Sequence, residues 1–167
     1  VGCASCVMKG EENCPHFEYV DKIRTSIDEA EILIFTSPVF VMHTTGQMKT
    51  LLDHFAYRWM VHRPEEKMFT KQAVVISTAA GAGTKSTNKD IMDSLNFWGV
   101  GKTYSYGKAV AAISWDHVSS KKRSVITKDM GKLADKIKRK VGRVSPSLKV
   151  RAIFGFIRLI HKKVELT

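Results

Sequence analysis

Three thiols stand close together near the start of the chain. The stretch "CASCVMKGEENCPH" places Cys3, Cys6 and Cys14 at C-x2-C-x7-C spacing, with His16 two residues on. Thiolates and an imidazole are the ligand types of a tetrahedral zinc site. A zinc site is therefore one reading, and a cysteine-bearing loop without metal is the other and the preferred one. An odd number of cysteines argues against a disulfide framework and for a reducing compartment, the cytoplasm. Elsewhere no Ser-His-Asp set and no pair of carboxylates suggests a side-chain nucleophile or acid–base couple. His43, His54, His62 and His117 are scattered along the chain.

Two loops look built for a ligand. "SPVFVMHTTGQMKTLLDHF", from Ser37 to Phe55, follows the apolar run Ile32–Phe35. Large apolar residues, Phe40 and Met42, sit in this loop beside Pro38 and His43, where a solvated loop would carry polar ones. The other is "STAAGAGTKST", from Ser77 to Thr87. Its glycines and alanines let bare backbone approach a ligand. It is not a nucleoside-triphosphate loop, because that motif needs glycine directly before the lysine and Thr84 precedes Lys85.

The elements that must hold these loops follow from periodicity. Ile32–Phe35, Ala73–Ser77 and Ala109–Ile113 are short continuous apolar runs, the pattern of parallel strands covered on both faces. Helical stripes alternate with them: Val20, Ile23, Ile27 and Ala30; Met48, Leu51, Leu52 and Phe55; Ile91, Met92, Leu95 and Trp98; and Ile126, Met130, Leu133, Ile137 and Val141. The order predicts an α/β fold with an open, doubly wound parallel sheet. Three such strands alone would leave outer strands unpaired, so further N-terminal strands are expected to be missing from this chain. Ligands of such sheets bind at the carboxyl ends of the strands, where both loops fall.

Together with "WGVGKTYSYGKAV", the two loops resemble the flavodoxin-like NAD(P)H-dependent FMN reductases. That group includes the iron–sulfur flavoproteins and the Trp-repressor-binding-protein type quinone reductases. The resemblance runs from about Gly2 to Ala112. It implies a flavodoxin-like sheet and an FMN-dependent oxidoreductase that passes electrons from NAD(P)H to a quinone, a flavin or another small acceptor. It implies that Ser37, Pro38, Val39, Phe40, Val41 and Met42 lie along the isoalloxazine ring. Thr78, Ala80, Gly81, Ala82 and Gly83 would border its pyrimidine side, with backbone amides as donors. His43 could touch ring or substrate, and Trp59 could reach a flavin across a subunit interface or serve in packing. The family's FMN phosphate loop follows a strand that this sequence does not contain, so no residue is assigned to the phosphate. Iron–sulfur flavoproteins carry C-x2-C-x2-C-x4–7-C, and on that spacing Lys9 takes the third cysteine's place. A four-iron cluster takes four thiolates, so a cluster on Cys3, Cys6 and Cys14 is not favoured. Two alternatives stay open: an electron carrier that docks a redox protein, and a non-enzymatic module whose basic tail binds an anionic partner.

The charge is concentrated at one end. Residues 1–120 carry 12 Lys/Arg and 13 Asp/Glu, whereas residues 121–167 carry 15 and 3. The expected division is a flavodoxin-like domain over 1–144 and a basic amphipathic extension over 145–167, begun at Pro146. In "RAIFGFIRLIHKK", Ile153, Phe154, Ile157 and Ile160 share a side, flanked by Arg151, Arg158, Lys162 and Lys163. The stripe predicts docking on a neighbouring subunit or over the flavin site, in a homodimer or homotetramer. Peripheral membrane contact is a second reading. The tail lacks the aromatic interleaving of a base-stacking surface, so nucleic acid is not favoured. No basic segment followed by an apolar one opens the chain, so no signal peptide is expected.

Overall fold

The computed structural model describes residues 2–59 and 63–164; His62 lies outside them. Three parallel strands, β1 (Ile32–Pro38), β2 (Gln72–Ala79) and β3 (Lys102–Ala109), form a sheet in the order β1-β2-β3. A single turn, α1 (Ser5–Met8), and α2 (Phe17–Glu29) precede the sheet. α3 (Gly46–His54) and α4 (Thr84–Phe97) connect its strands, and α5 (Ser120–Lys138) and α6 (Leu148–Val164) follow it. This is the expected α/β architecture, with helices alternating with parallel strands.

Side chains on a strand alternate between faces, and the register sorts them. Leu33 aligns with Ala73, and Phe35 with Val75, on one face. That face carries the main core: Ile27 of α2, Leu52 of α3, and Ile91 and Leu95 of α4 close over it with Phe55, Met68 and Trp98. Phe55 and Trp98 meet edge to face at 5.4 Å between ring centroids. Each such large apolar side chain contributes about 1.5–3 kcal/mol by leaving water. A clasp joins α2 to the short turn Ala56–Arg58. Both terminal guanidinium nitrogens of Arg58 donate to Asp28, at 2.6 and 2.8 Å.

The other face is only partly covered. α5 ties to it where the Tyr106 hydroxyl donates to Asp129 at 3.2 Å and Gln72 Nε2 donates to the Ile137 carbonyl at 3.1 Å. These anchors sit on β2 and β3. On β1, Ile34 is 66% exposed. The expectation that every strand is covered on both faces therefore fails for β1.

The third strand lies earlier than its apolar text suggests. Ala109–Ile113 was expected as a strand, but from Val110 onward it is a loop. Ala111 takes φ 52° and Ile113 is fully exposed. The strand is the half-polar run Lys102–Ala109, in which Tyr104 is buried and Ser105 and Gly107 face solvent. An outer strand with one neighbour needs alternation, not a continuous apolar run.

The extension forms the expected helix, α6, but its cover comes from the chain itself. Val150, Ile153, Phe154 and Ile157 pack together with Phe69, whose ring meets that of Phe154 at 5.3 Å. Ile160 stays 44% exposed.

Candidate functional site

Parallel register brings the three strand ends to one edge: Pro38 aligns with Thr78, Thr78 with Lys108, and Ala79 with Ala109. Three loops therefore leave the sheet side by side. The first is the stretch from Val39 to Thr45. Phe40 and His43 exchange backbone hydrogen bonds at 2.9 and 3.0 Å, closing a two-residue turn. Its central residues, Val41 and Met42, both take positive φ, 47° and 68°. That is the backbone of a tight hairpin turn, which favours Asn-Gly. A β-branched valine there is strained. The turn holds Phe40, Val41 and Met42 out in solvent, 66%, 82% and 53% exposed.

Buried and half-buried polar groups hold the turn from beneath. Ser37 is buried, and its hydroxyl accepts from the Thr44 hydroxyl at 3.0 Å and the Thr45 amide at 3.2 Å. Asp90 of α4 accepts from the Thr44 amide at 3.2 Å and pairs with His43 Nδ1 at 3.0 Å. Ser86 donates to the carbonyls of Met42 and Gly83, joining the first loop to the second. Thr45 caps α3 by accepting from the Met48 amide.

The second loop, Ala80 to Gly83, leads into α4. Gly83 takes φ 97°, and a Cβ there would stand 2.5 Å from Val39 Cγ1. Only glycine lets the two loops touch at this point. Gly81 is different: a Cβ there would have nothing within 4 Å. Ala80, Gly81 and Ala82 are exposed, and their amides have no backbone acceptor among the described residues. A row of free amide donors beside an exposed apolar turn suits a flat ligand with one polar and one apolar edge.

The third loop, Val110 to Trp115, was not foreseen as part of the site. Val110 donates to the Ala79 carbonyl at 2.9 Å, which sets this loop beside the second. Ile113 and Trp115 project into solvent. Ser86 and Asp90 were missed as well, because a helix interior gives no sign of which polar residue reaches a loop.

Among the expected positions, Pro38, Phe40, Val41, Met42, Thr78, Ala80, Gly81 and Ala82 lie exposed at the strand ends. Val39 and Gly83 are half-buried between the loops, and Ser37 is buried beneath them. Trp59 stacks on Phe97 at 4.1 Å and packs against the main core. His54 Nδ1 lies 2.7 Å from the Thr50 carbonyl, and His117 Nδ1 lies 2.9 Å from Ser114 Oγ.

The cysteines occupy a separate place. Cys3, Cys6, Cys14 and His16 line a cavity of about 420 Å³ with Asp53 and His54. Arg63 donates to the Cys6 carbonyl and pairs with Glu11 at 3.3 Å, which fastens this segment. Among the described residues no group of three His, Cys, Asp or Glu side chains is arranged to hold a metal ion. Hydrogen bonds from Ser5, its backbone first, lower the Cys3 thiol pKa. Burial raises that of Cys6, and charge on Cys14 adds to the rise.

Comparison with known proteins agrees with the fold. The chain is 31% identical over 100 residues to an iron–sulfur flavoprotein of Archaeoglobus fulgidus, covering 59% of this chain and 43% of that protein. A solved flavone reductase aligns with TM-score 0.51 and 14% identity, over 77% of this chain and 49% of its own. The Trp repressor binding protein of Bacillus subtilis aligns with TM-score 0.40 and 21% identity, over 53% and 62%. The chain thus spans about half the length of the first two. Residues 4–116, which take in all three loops up to Trp115, match the NADPH-dependent FMN reductases, and the chain belongs to that family.

Proposed function

We propose that the protein holds FMN at the three strand ends and passes electrons from NAD(P)H to a quinone, a free flavin or another small acceptor. The observation that carries this reading is the exposed apolar turn Phe40–Met42 set beside the free amides of Ala80 to Ala82. The residues fit the cofactor. Pro38, Phe40, Val41 and Met42 offer apolar surface to a ring. The three amides offer donors to a carbonyl-rich edge, and Gly81 leaves that approach clear. Bound FMN supplies hydride acceptance from the nicotinamide and electron delivery to the acceptor.

The chain's own part is binding and orientation. The amides of Ala80 to Ala82 would hold the pyrimidine edge, where donors favour negative charge and so would raise the tendency of the ring to be reduced. Ser37, Ser86 and Asp90 fix the turn, so its apolar side chains stay in place without a ligand to order them. A site this open at the strand ends would admit one planar partner at a time, so donor and acceptor would alternate and ping-pong kinetics are expected. Val110–Trp115 leaves the neighbouring strand end, and its exposed Trp115 is suited to stack on an incoming partner.

Anaerobic stopped-flow mixing of the FMN-loaded full-length protein with NADH and with NADPH tests this. Rapid bleaching of the flavin by one of them, then reoxidation by a quinone, is the expected result. Failure of both nicotinamides, with reduction by a protein donor instead, would favour the electron-carrier reading.

A further inference from the structure

α6 has two apolar sides, and the fold uses only one. Val150, Ile153, Phe154 and Ile157 face inward against Phe69. Residues spaced by four and by three or four fall on one face of a helix. By that spacing Leu148, Ala152, Phe156 and Leu159 lie together on the outer side. All four are exposed, Leu148 at 83%, Phe156 at 65% and Leu159 at 63%. Arg151, Arg158 and Lys162 run along one border of this face, again at helical spacing, and all three are exposed. None of them forms an ion pair among the described residues. The segment Leu148–Val164 contains no Asp or Glu. The acid lining the crevice beside Arg151 is Glu66, on the inner side with Phe69 and Phe154.

We propose that α6 docks the protein on an anionic lipid surface, with Leu148, Phe156 and Leu159 in the headgroup–acyl boundary and Arg151, Arg158 and Lys162 against phosphates. Charge decides this occupant. Residues 121–167 hold 15 Lys/Arg against 3 Asp/Glu. A second copy would bring like charges together over the same face, whereas anionic headgroups complement it. An apolar strip one helix wide, bordered by basic side chains, is the shape that lies in the interface plane. The helix cannot cross instead: its 17 residues include several cations, and no described helix is long and apolar enough to span a membrane.

The test is co-sedimentation of the full-length protein with vesicles of phosphatidylcholine alone and of phosphatidylcholine and phosphatidylglycerol mixed three to one. Binding to the anionic vesicles at low ionic strength, weakening with added salt, is expected. The double variants F156D/L159D and R158Q/K162Q should each lower the partition coefficient by at least about tenfold. Their circular dichroism and melting should be unchanged, because these side chains are exposed. No binding of the parent protein to anionic vesicles would overturn the proposal. So would binding that F156D/L159D leaves intact, since basic charge alone would then explain it. Sedimentation velocity adds a further check: a dimer that F156D/L159D dissociates would give this face to a second copy.

Discussion

Gly81 and Gly83 stand two residues apart and respond oppositely to an added methyl group. At Gly83 the φ of 97° and the contact with Val39 both oppose it. G83A should destabilise the fold by about 1–3 kcal/mol, read from urea unfolding, and should weaken FMN binding with it. G81A meets nothing and should leave unfolding unchanged. A loss of FMN affinity in G81A alone would mark the ligand's position; equal affinity would move the ring away from Gly81. Val41 and Met42 pose the reverse case. Replacing them with Asn-Gly should stabilise the ligand-free protein by about 1 kcal/mol. It should also weaken FMN binding, because apolar surface is lost. Among the thiols, Cys3 should alkylate with iodoacetamide before Cys6, as a lowered and a raised pKa dictate. Peptide mass spectrometry at partial labelling would show the order, and the reverse order would contradict it. The placing of the candidate site was legible in the text: an apolar loop and a small-residue loop were expected at the carboxyl ends of the strands, and they stand there side by side. Its strain was not, because Val-Met carries no signal for positive φ. Nor were Ser86 and Asp90, whose roles exist only once α4 lies against the first loop.

At the level of elements, the first two strands and the helices that connect them were plain in the sequence, since burial on the core face imposes both periods. β3 was misplaced because the most apolar run near it, Ala109–Ile113, belongs to a loop that reaches solvent. The true strand carried a weaker mark, Thr103, Tyr104 and Tyr106 in a β-prone alternation. A close approach also hides there: a Cβ on Gly107 would stand 2.6 Å from Thr84 Cβ at the start of α4. The clasp between α2 and the turn after α3 was invisible in the text, because its partners are 30 residues apart. Arg58 is only 3% exposed. D28A leaves that cation buried without its carboxylate and should cost about 3–5 kcal/mol. D28N keeps an acceptor and should cost less. Equal losses in the two variants would show that packing, not charge, governs the clasp.

For the whole molecule, the uneven charge was readable by counting, and the way α6 divides its apolar surface between two directions was not. A stripe announces that it needs cover without saying who provides it, and here Phe69 does so for the inner side. The uncovered part of β1 has a consequence for handling. β1 pairs on one side only within the described residues, and Ile34 stands in solvent beside its open edge. Such a strand is a template on which another copy can nucleate. A solution of these residues should therefore scatter light increasingly with concentration and with storage. Placing a charge on the strand by I34K should suppress that growth, at little cost to the core on the opposite face. Scattering that rises equally in both proteins would place the sticky surface elsewhere. The same property would make the chain a sensitive reporter of any segment that pairs with β1, because occupation of that edge would appear first as a clear solution.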